Sequence, residues 1–121
     1  MPEKIFVIQK HYAKNLHWDL RLEMYGVFKS WAVPKEPPNE PKVRRLAIQV
    51  DDHALEYADF EGEIPEGSYG AGTVQIWDKG TYRMIDRKDF KLIFELRGDK
   101  LQGEFTLVQM KDKQWLFFKK S

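Results

Sequence analysis

The sequence contains no cysteine, so the chain cannot form a disulfide, use a thiol nucleophile or bind a metal through thiolates. It also lacks a long apolar run and a charged-then-apolar leader, the features that indicate a membrane span or secretion. These absences predict a cytoplasmic protein without membrane contact. With 121 residues, 42% hydrophobic and 32% charged, the composition is ordinary for a globular protein, and we expect one domain over residues 1–121.

Basic residues are missing from one stretch of the chain. Residues 51–78 carry eight Asp or Glu and no Lys or Arg, whereas residues 1–50 have a net charge of +4 and residues 79–121 a net charge of +5. An acidic block between two basic regions suits a cation site beside an anionic ligand, and it equally suits a solvated acidic loop. Charge alone leaves both interpretations open.

Long amphipathic helices are missing as well, and short β-type runs separated by Gly, Pro, Asn and Asp take their place. Their pattern is typical of an all-β barrel or sandwich, with no exposed apolar repeat to suggest more than a monomer. A proline-rich loop covers residues 34–41, and a glycine-rich loop covers residues 62–72. Strands are predicted at residues 4–11, 17–25, 27–33, 44–50, 73–78, 81–85, 91–96, 104–110 and 115–119, with a further short one at 56–61.

The predicted strand at residues 17–25 has one apolar and one ionisable face. Side chains alternate along a strand, so one face carries Trp18, Leu20, Leu22 and Met24, and the other carries His17, Asp19, Arg21 and Glu23. A solvent-exposed face explains many such rows. A His-Asp-Arg succession, however, also places an imidazole and a carboxylate where they converge on one cation, with a guanidinium beside them to hold a phosphate.

Histidine is scarce, and two of the three histidines flank one predicted hairpin. His11 ends the strand before the loop at residues 12–16, so the hairpin can bring it beside His17. Two imidazoles and the Asp19 carboxylate suit Mn²⁺, Fe²⁺, Zn²⁺ or Co²⁺. The third histidine, His53, follows Asp51 and Asp52, and the residues alone allow a metal ligand, a phosphate contact, a general acid or an ordinary turn residue.

Several ordered motifs resemble the 3′-phosphoesterase domain found in bacterial DNA ligase D and in small free-standing proteins. The resemblance is dense over residues 5–80 and becomes weaker toward the C-terminus. The motifs, in order, are VIQKH at 7–11, LHWDLRLE at 16–23, KSWAVPK at 29–35, RLA at 45–47, DH at 52–53, YADFEG at 57–62, IPEG at 64–67 and YGAGT at 69–73.

The resemblance implies a fold, an activity and a metal. The fold is a compact single-domain β-barrel of about eight short strands with a surface metal site. The activity is Mn²⁺-dependent removal of 3′-terminal ribonucleosides and 3′-phosphates from DNA, which leaves a 3′-OH for end repair. Co²⁺ and Zn²⁺ are alternative metals. The expected partners are DNA 3′ ends and, in end repair, a DNA ligase or polymerase.

The resemblance also implies roles for individual residues. His11, His17 and Asp19 correspond to metal ligands, and Arg21 and His53 to contacts with the scissile phosphate. For the reaction itself we predict that Arg21 and a protonated His53 neutralise charge on the phosphoryl oxygens, and our hypothesis is that His53 also protonates the leaving oxygen. Gln9, Lys35 and Arg45 correspond to further phosphate contacts, and Tyr57 corresponds to a catalytic tyrosine. Glu23 and Asp51 correspond to supporting residues, and the family often has Glu at the position of Asp51.

The chain begins only a few residues before Ile5, whereas longer bacterial versions of the domain have an N-terminal arm. If that arm positions a ribonucleotide end, we expect the diesterase step to be weaker here than the monoesterase step.

Two rival functions also fit parts of the pattern. His17, Asp19 and His53 spell the facial triad of non-haem Fe(II) oxygenases, although no arginine follows His53 closely enough to anchor an oxo-acid cosubstrate. A non-catalytic nucleic-acid-binding β-barrel would use the polar face for phosphates, with any metal incidental. Metal dependence of turnover separates that binding protein from the hydrolase.

Overall fold

The computed structural model describes residues 3–68 and 70–120, so Tyr69 of the YGAGT motif lies outside the described residues. In that part of the chain no helix is long and apolar enough to cross a membrane. The strands are β1 (Lys4–Tyr12), β2 (His17–Met24), β3 (Val27–Val33), β4 (Arg44–His53), β5 (Gly62–Ile64), β6 (Gly72–Lys88), β7 (Lys91–Gly98), β8 (Gln102–Lys111) and β9 (Gln114–Lys119).

Eight of these strands close into an antiparallel barrel. The order around the barrel is β1-β2-β3-β4-β9-β8-β7-β6, and pairing of β6 with β1 completes the ring. The short strand β5 pairs with the first residues of β6. Closure leaves no unpaired edge within the ring, which removes the main aggregation hazard of an open sheet. The all-β barrel predicted from the sequence is therefore confirmed.

Beyond small shifts of strand ends, three sequence predictions differ from the structure, and the first is that β5 lies inside the glycine-rich loop expected over residues 62–72. Residues 56–61 do not form a strand, because a 3₁₀ helix spans Leu55–Asp59 and its backbone bonds are local ones, Tyr57 N–H to Ala54 O and Phe60 N–H to Tyr57 O. The predicted strands at 73–78 and 81–85 are one strand, β6. The Asp-Lys-Gly sequence between them resembles a turn, yet Gly80 lies so close to the backbone of Arg97 that it serves strand packing instead.

The apolar side chains form two clusters, one inside the barrel and one outside it. The inner cluster contains Phe6, Leu20, Trp31, Phe94 and Phe117 among others. The outer cluster is small and lies where the 3₁₀ helix packs on β1 and β3. It contains Val7, Phe28 and Ala58, with Ile5, Leu55 and Ile76 packed against them. The segment at residues 54–60, called here the covering segment, thus shields one part of the outer surface.

The predicted alternation on β2 is confirmed, but its outer face is less exposed than expected. Trp18, Leu20, Leu22 and Met24 belong to the inner cluster. On the outer face, Asp19 is 7% exposed and Arg21 is 3% exposed. The ionisable residues of β2, whose sequence pattern is also typical of a solvent-exposed face, are therefore largely buried beside the covering segment. Buried charged groups of this kind require partners.

Candidate metal centre

The hairpin of β1 and β2 brings the predicted metal ligands together. His11 pairs directly with His17, and Gln9 pairs with Asp19, so these residues are neighbours across the two strands. The imidazole rings of the two histidines are 4.7 Å apart, centroid to centroid. Cross-strand register therefore converts a separation of six residues in the sequence into direct side-chain contact.

Three donor atoms converge on this hairpin. The Asp19 Oδ2 atom lies 3.3 Å from His17 Nε2 and 3.8 Å from His11 Nδ1. One donor atom from each of the three residues lies within 4.8 Å of the others. Two imidazole nitrogens and one carboxylate oxygen at such separations form a donor set that suits a divalent transition metal with further positions for water or substrate.

His17 is oriented by the backbone of the hairpin loop. Its Nδ1 lies 3.0 Å from the carbonyl oxygen of Asn15, which can only accept, so Nδ1 carries the proton and Nε2 presents its lone pair. The pKa of His17 is raised, first by its hydrogen bond to Asp19 and against the lowering effect of burial. A proton and a cation therefore compete for the place between Nε2 and the carboxylate.

The contacts of His11 show whether His11, His17 and Asp19 together suit a cation. Its Nε2 atom is buried and has no hydrogen-bond partner among residues 3–68 and 70–120, and its Nδ1 is too far from Asp19 for a hydrogen bond. Gly70 of the glycine-rich loop packs near its ring, where a Cβ would meet His11 Cε1 at 3.7 Å. A buried imidazole with a nitrogen that has no hydrogen-bond partner in the described part of the chain is suited to bind a metal ion.

Arg21 is fixed beside the three donors by neutral and charged partners. Its Nε donates to Gln9 Oε1 at 2.7 Å, its Nη1 donates to Ser30 Oγ at 2.8 Å, and its Nη2 lies 3.5 Å from Asp19 Oδ2. Burial lowers the pKa of Arg21, and the guanidinium remains charged at neutral pH. The result is an immobilised cation next to the candidate metal site, a suitable arrangement for a phosphate.

Gln9 links Arg21 to the covering segment. The side chain is fully buried, accepts from Arg21, and donates through Nε2 to the carbonyl oxygens of Tyr57 at 3.0 Å and Phe60 at 3.2 Å. Its amide therefore binds protein groups on both sides and orients Arg21. The direct phosphate contact expected for Gln9 stays a prediction.

His53 reaches the site because strands β3 and β4 change register. The shift between Phe28 and Ser30 places His53 opposite Phe28, and the His53 Nδ1 atom lies 2.9 Å from Arg21 Nη1. In the described part of the chain, the His/Asp group with metal-ligand spacing contains His11 rather than His53, so the facial triad of an oxygenase is not assembled. His53 is placed to act beside the arginine.

The protonation state of His53 follows from its two neighbours. Arg21 can only donate, so Nδ1 accepts from it in the neutral form; in the protonated form Nδ1 donates to the Asp51 carbonyl, 3.1 Å away. Burial, and then the charge of Arg21, lower the pKa of His53. The surroundings thus favour neutral His53 at neutral pH, whereas the sequence led us to expect the protonated form.

Tyr57 packs against Arg21 and His53 at the site. Its ring lies 4.9 Å from the Arg21 guanidinium, 5.0 Å from the His53 ring and 4.9 Å from the ring of Phe60, on which it stacks. Burial raises the pKa of Tyr57, so its hydroxyl keeps its proton at neutral pH and is available as a donor. The catalytic role expected for Tyr57 stays a prediction.

In the described part of the chain, the remaining predicted residues make no side-chain hydrogen bond or ion pair with the three donor residues. The Glu23 carboxylate accepts from the backbone N–H of Ile5 at 2.9 Å, which holds the start of β1. Lys35 and Arg45 line a separate cleft, and Arg45 Nε donates to Glu36 O at 2.7 Å. Asp51 is exposed and faces His53 through its carbonyl oxygen.

Two contributors to the site were not predicted from the sequence. Ser30, which is fully buried, accepts a hydrogen bond from Arg21 and could have been found as the one hydroxyl side chain of β3. The backbone carbonyl of Asn15 carries no side-chain signal, so sequence reasoning had no means of finding it.

Comparison with known proteins shows the family to which the sequence belongs. The sequence model of the DNA ligase D 3′-phosphoesterase domain matches residues 9–109. Over 123 aligned positions the chain is 49% identical to the multifunctional non-homologous end joining protein LigD of Pseudomonas aeruginosa, covering 94% of this chain and 15% of that protein. It is 48% identical over 118 positions to the multifunctional non-homologous end joining DNA repair protein LigD of Mycobacterium tuberculosis, covering 92% and 15%. The chain thus spans about 15% of the length of these relatives.

Proposed function

Because the chain belongs to the DNA ligase D 3′-phosphoesterase family, we propose that it hydrolyses phosphoesters at the 3′ ends of DNA strands. The products are ends with a 3′-OH, made by removing 3′-terminal ribonucleosides and 3′-phosphates during non-homologous end joining. The observation that carries the proposal is the convergence of His11, His17 and Asp19 beside the buried, immobilised Arg21.

In this proposal His11, His17 and Asp19 hold a divalent cation, with Mn²⁺ as the first candidate and Co²⁺ or Zn²⁺ as alternatives. Such a cation supplies Lewis-acid polarisation of a phosphoryl oxygen and activation of a water nucleophile. The Asn15 carbonyl keeps the His17 lone pair on Nε2, and Arg21 Nη2 holds the Asp19 carboxylate in place. These contacts prepare the donors before the substrate arrives.

Arg21 and His53 act on the phosphate itself. The Arg21 guanidinium, held by Gln9 and Ser30, neutralises negative charge that develops on the phosphoryl oxygens. An approaching phosphate raises the pKa of His53, and the Asp51 carbonyl oxygen is in place to accept a hydrogen bond from the protonated Nδ1. His53 then donates its Nε2 proton to the leaving oxygen. Tyr57 adds a hydroxyl donor above the same site.

The experiment compares two substrates under two metal conditions. One primer ends in a single ribonucleotide and the other in a 3′-phosphate, and each is incubated with Mn²⁺ or with a chelator. We expect both primers to be converted to 3′-OH ends with Mn²⁺ alone, and His17→Ala to abolish both conversions. Binding of either primer without turnover in Mn²⁺, or turnover unaffected by His17→Ala, would refute the proposal.

A further inference from the structure

A cationic cleft lies at the β3–β4 side of the barrel. It has a volume of about 310 Å³ and is lined by Pro34, Lys35, Arg44, Arg45 and Leu46. Three of these five residues are cations and none is acidic. Arg45 is held by its bond to the Glu36 carbonyl, and Arg44 has no carboxylate within ion-pair distance among residues 3–68 and 70–120. The cleft is therefore built to receive negative charge.

The cleft and the candidate metal centre lie on neighbouring strands of the barrel. Asp19 pairs with Ala32 on β3, and Ala32 pairs with Ile48 on β4, so two strand spacings, or about 10 Å, separate the carboxylate strand from the strand that carries Arg44 and Leu46. Pro34 directly follows Val33, which pairs with Trp18 next to His17. A nucleic-acid strand that crosses β3 from the metal centre thus reaches the cleft.

Beyond the cleft the outer surface of β4 and β9 is apolar and accessible. Leu46, 42% exposed, pairs with Leu116, and Arg44 pairs with Phe118. The Arg44 guanidinium lies over the Phe118 ring at 5.2 Å from its centroid. We call these four residues the upstream face. It offers apolar side chains, one of them aromatic, and one cation, the combination that binds the bases and phosphates of a single strand.

The opposite flank of the site has the reverse charge. The covering segment and the residues after it carry five exposed carboxylates, at Glu56, Asp59, Glu61, Glu63 and Glu66. Lys79 pairs with Asp59, and the others leave a strongly negative border. A DNA strand that enters the site is repelled on this flank and attracted on the cleft flank.

We propose that the cleft and the upstream face bind the single-stranded DNA immediately upstream of the 3′ end that is processed. Arg44, together with Lys35 and Arg45, contacts successive phosphates, and Leu46, Leu116 and Phe118 contact base faces. This inference rests on the proposed function for the identity of the strand. A protein partner for the same face is less well supported, because three cations and no acidic residue line the cleft, and strand β3 joins it to the candidate metal centre.

Hydrolysis of a short and a long substrate tests the inference. The short one is a dinucleotide with a 3′-ribonucleotide, which ends before the upstream face, and the long one has about 12 nucleotides, within the range of single-strand binding sites. Arg44→Gln and Phe118→Leu should each raise KM for the long substrate by about three- to tenfold with kcat unchanged, and leave the short substrate within about twofold. The matched controls Arg83→Gln and Phe90→Leu should change neither.

Binding without turnover gives an independent readout. Fluorescence anisotropy with a labelled 3′-phosphate strand of about 12 nucleotides, in chelator, should show weaker binding by Arg44→Gln and a salt slope reduced by about 0.7, as expected for one lost phosphate contact. Unchanged binding and slope would overturn the inference and leave the face to a protein partner. If neither substrate is hydrolysed by the wild type in Mn²⁺, the proposed function fails, while the anisotropy comparison still decides where a strand binds.

Discussion

The outer surface of the barrel differs sharply between its two halves. On β1, β2 and β3 the covering segment buries outward-facing side chains, and these include Gln9, Asp19 and Arg21. The covering segment does not reach β4, β9 and β8, where Leu46 and Met110 remain 42% and 61% exposed, although Thr106 on β8 is 7% exposed. Both halves follow the same strand alternation, so the cover, rather than the strand pattern, determines which half becomes a site.

The comparison shows what burial adds to a row of ionisable residues. On the covered half the side chains of Gln9, Arg21 and Ser30 are fixed by hydrogen bonds to named partners, and the guanidinium of Arg21 is held on three sides. Fixed charges in a site with little water act more strongly on a substrate and need no reorganisation during reaction. On the open half, contacts with a ligand are distributed and individually weak, as suits a strand rather than a reacting group.

The largest expected difference between the halves concerns a carboxylate. Asp19→Asn should lower turnover of both 3′-end substrates by more than about 100-fold, because it removes a metal ligand. Substitution of a residue that only hydrogen-bonds a metal ligand already lowers metal affinity or activity by about 10–100-fold. Glu104→Gln, which makes the same change on the open half where Glu104 pairs with Lys120, should leave turnover within about twofold. Initial rates in Mn²⁺ measure both. Similar losses in the two variants would remove the distinction between the halves.

A glutamine on each half gives the next largest contrast. Gln9→Leu leaves Arg21 Nε and the carbonyls of Tyr57 and Phe60 without their partner, and we expect a loss of about 3 kcal/mol in the free energy of unfolding. Gln114→Leu changes an exposed outward-facing residue and should stay within about 0.5 kcal/mol. Urea denaturation of both variants measures the difference. A small loss for Gln9→Leu would show that the covering segment is held by other contacts.

Apolar truncations should differ by a smaller amount. Val7 is fully buried beneath the covering segment and packs with Phe28 and Ala58. Val7→Ala removes part of this packing and should lower the free energy of unfolding by about 1–2 kcal/mol. Leu46→Ala on the open half should cost less than about 1 kcal/mol, although it removes more atoms, because Leu46 is already partly hydrated. Thermal unfolding compares the two, and a reversed order would mean that the cover does not pack on β1.

The smallest expected effect is a pH dependence. The pKa of His53 is lowered in the folded protein, so the unfolded chain binds more protons between that pKa and the unfolded value of about 6.5. The stability linked to His53 is therefore complete above pH 6.5 and is lost as the pH falls through the folded pKa. His53→Gln should lose less stability than the wild type between pH 7.5 and 5, measured by urea denaturation in chelator. Parallel pH profiles would contradict the lowered pKa.

Part of the site could be predicted from the sequence because it depends on local register. A five-residue loop between two strands brings His11 beside His17, and the period of two places Asp19 and Arg21 on the same face. His53 could be nominated but not placed, because its position depends on a shift of register within β3 and β4 that leaves no signal in the residues.

The covering segment shows the limit of pattern reasoning. Residues 56–61 have aromatic and alternating character, which favours a strand, but their carbonyls bond the side chain of Gln9 from a strand about 50 residues earlier. Such a long-range contact cannot be derived from local periodicity. The same holds for Gly80, which reads as a turn residue and instead allows close approach of β6 and β7.

Calorimetric titration of Mn²⁺ into the protein tests the central claim most directly, since that claim is that His11, His17 and Asp19 together hold one divalent cation. The account predicts one site per chain in the wild type, tighter binding as the pH rises past the raised pKa of His17, and loss of that site in His17→Ala and in Asp19→Asn. Equal Mn²⁺ binding by the wild type and by both variants would contradict it.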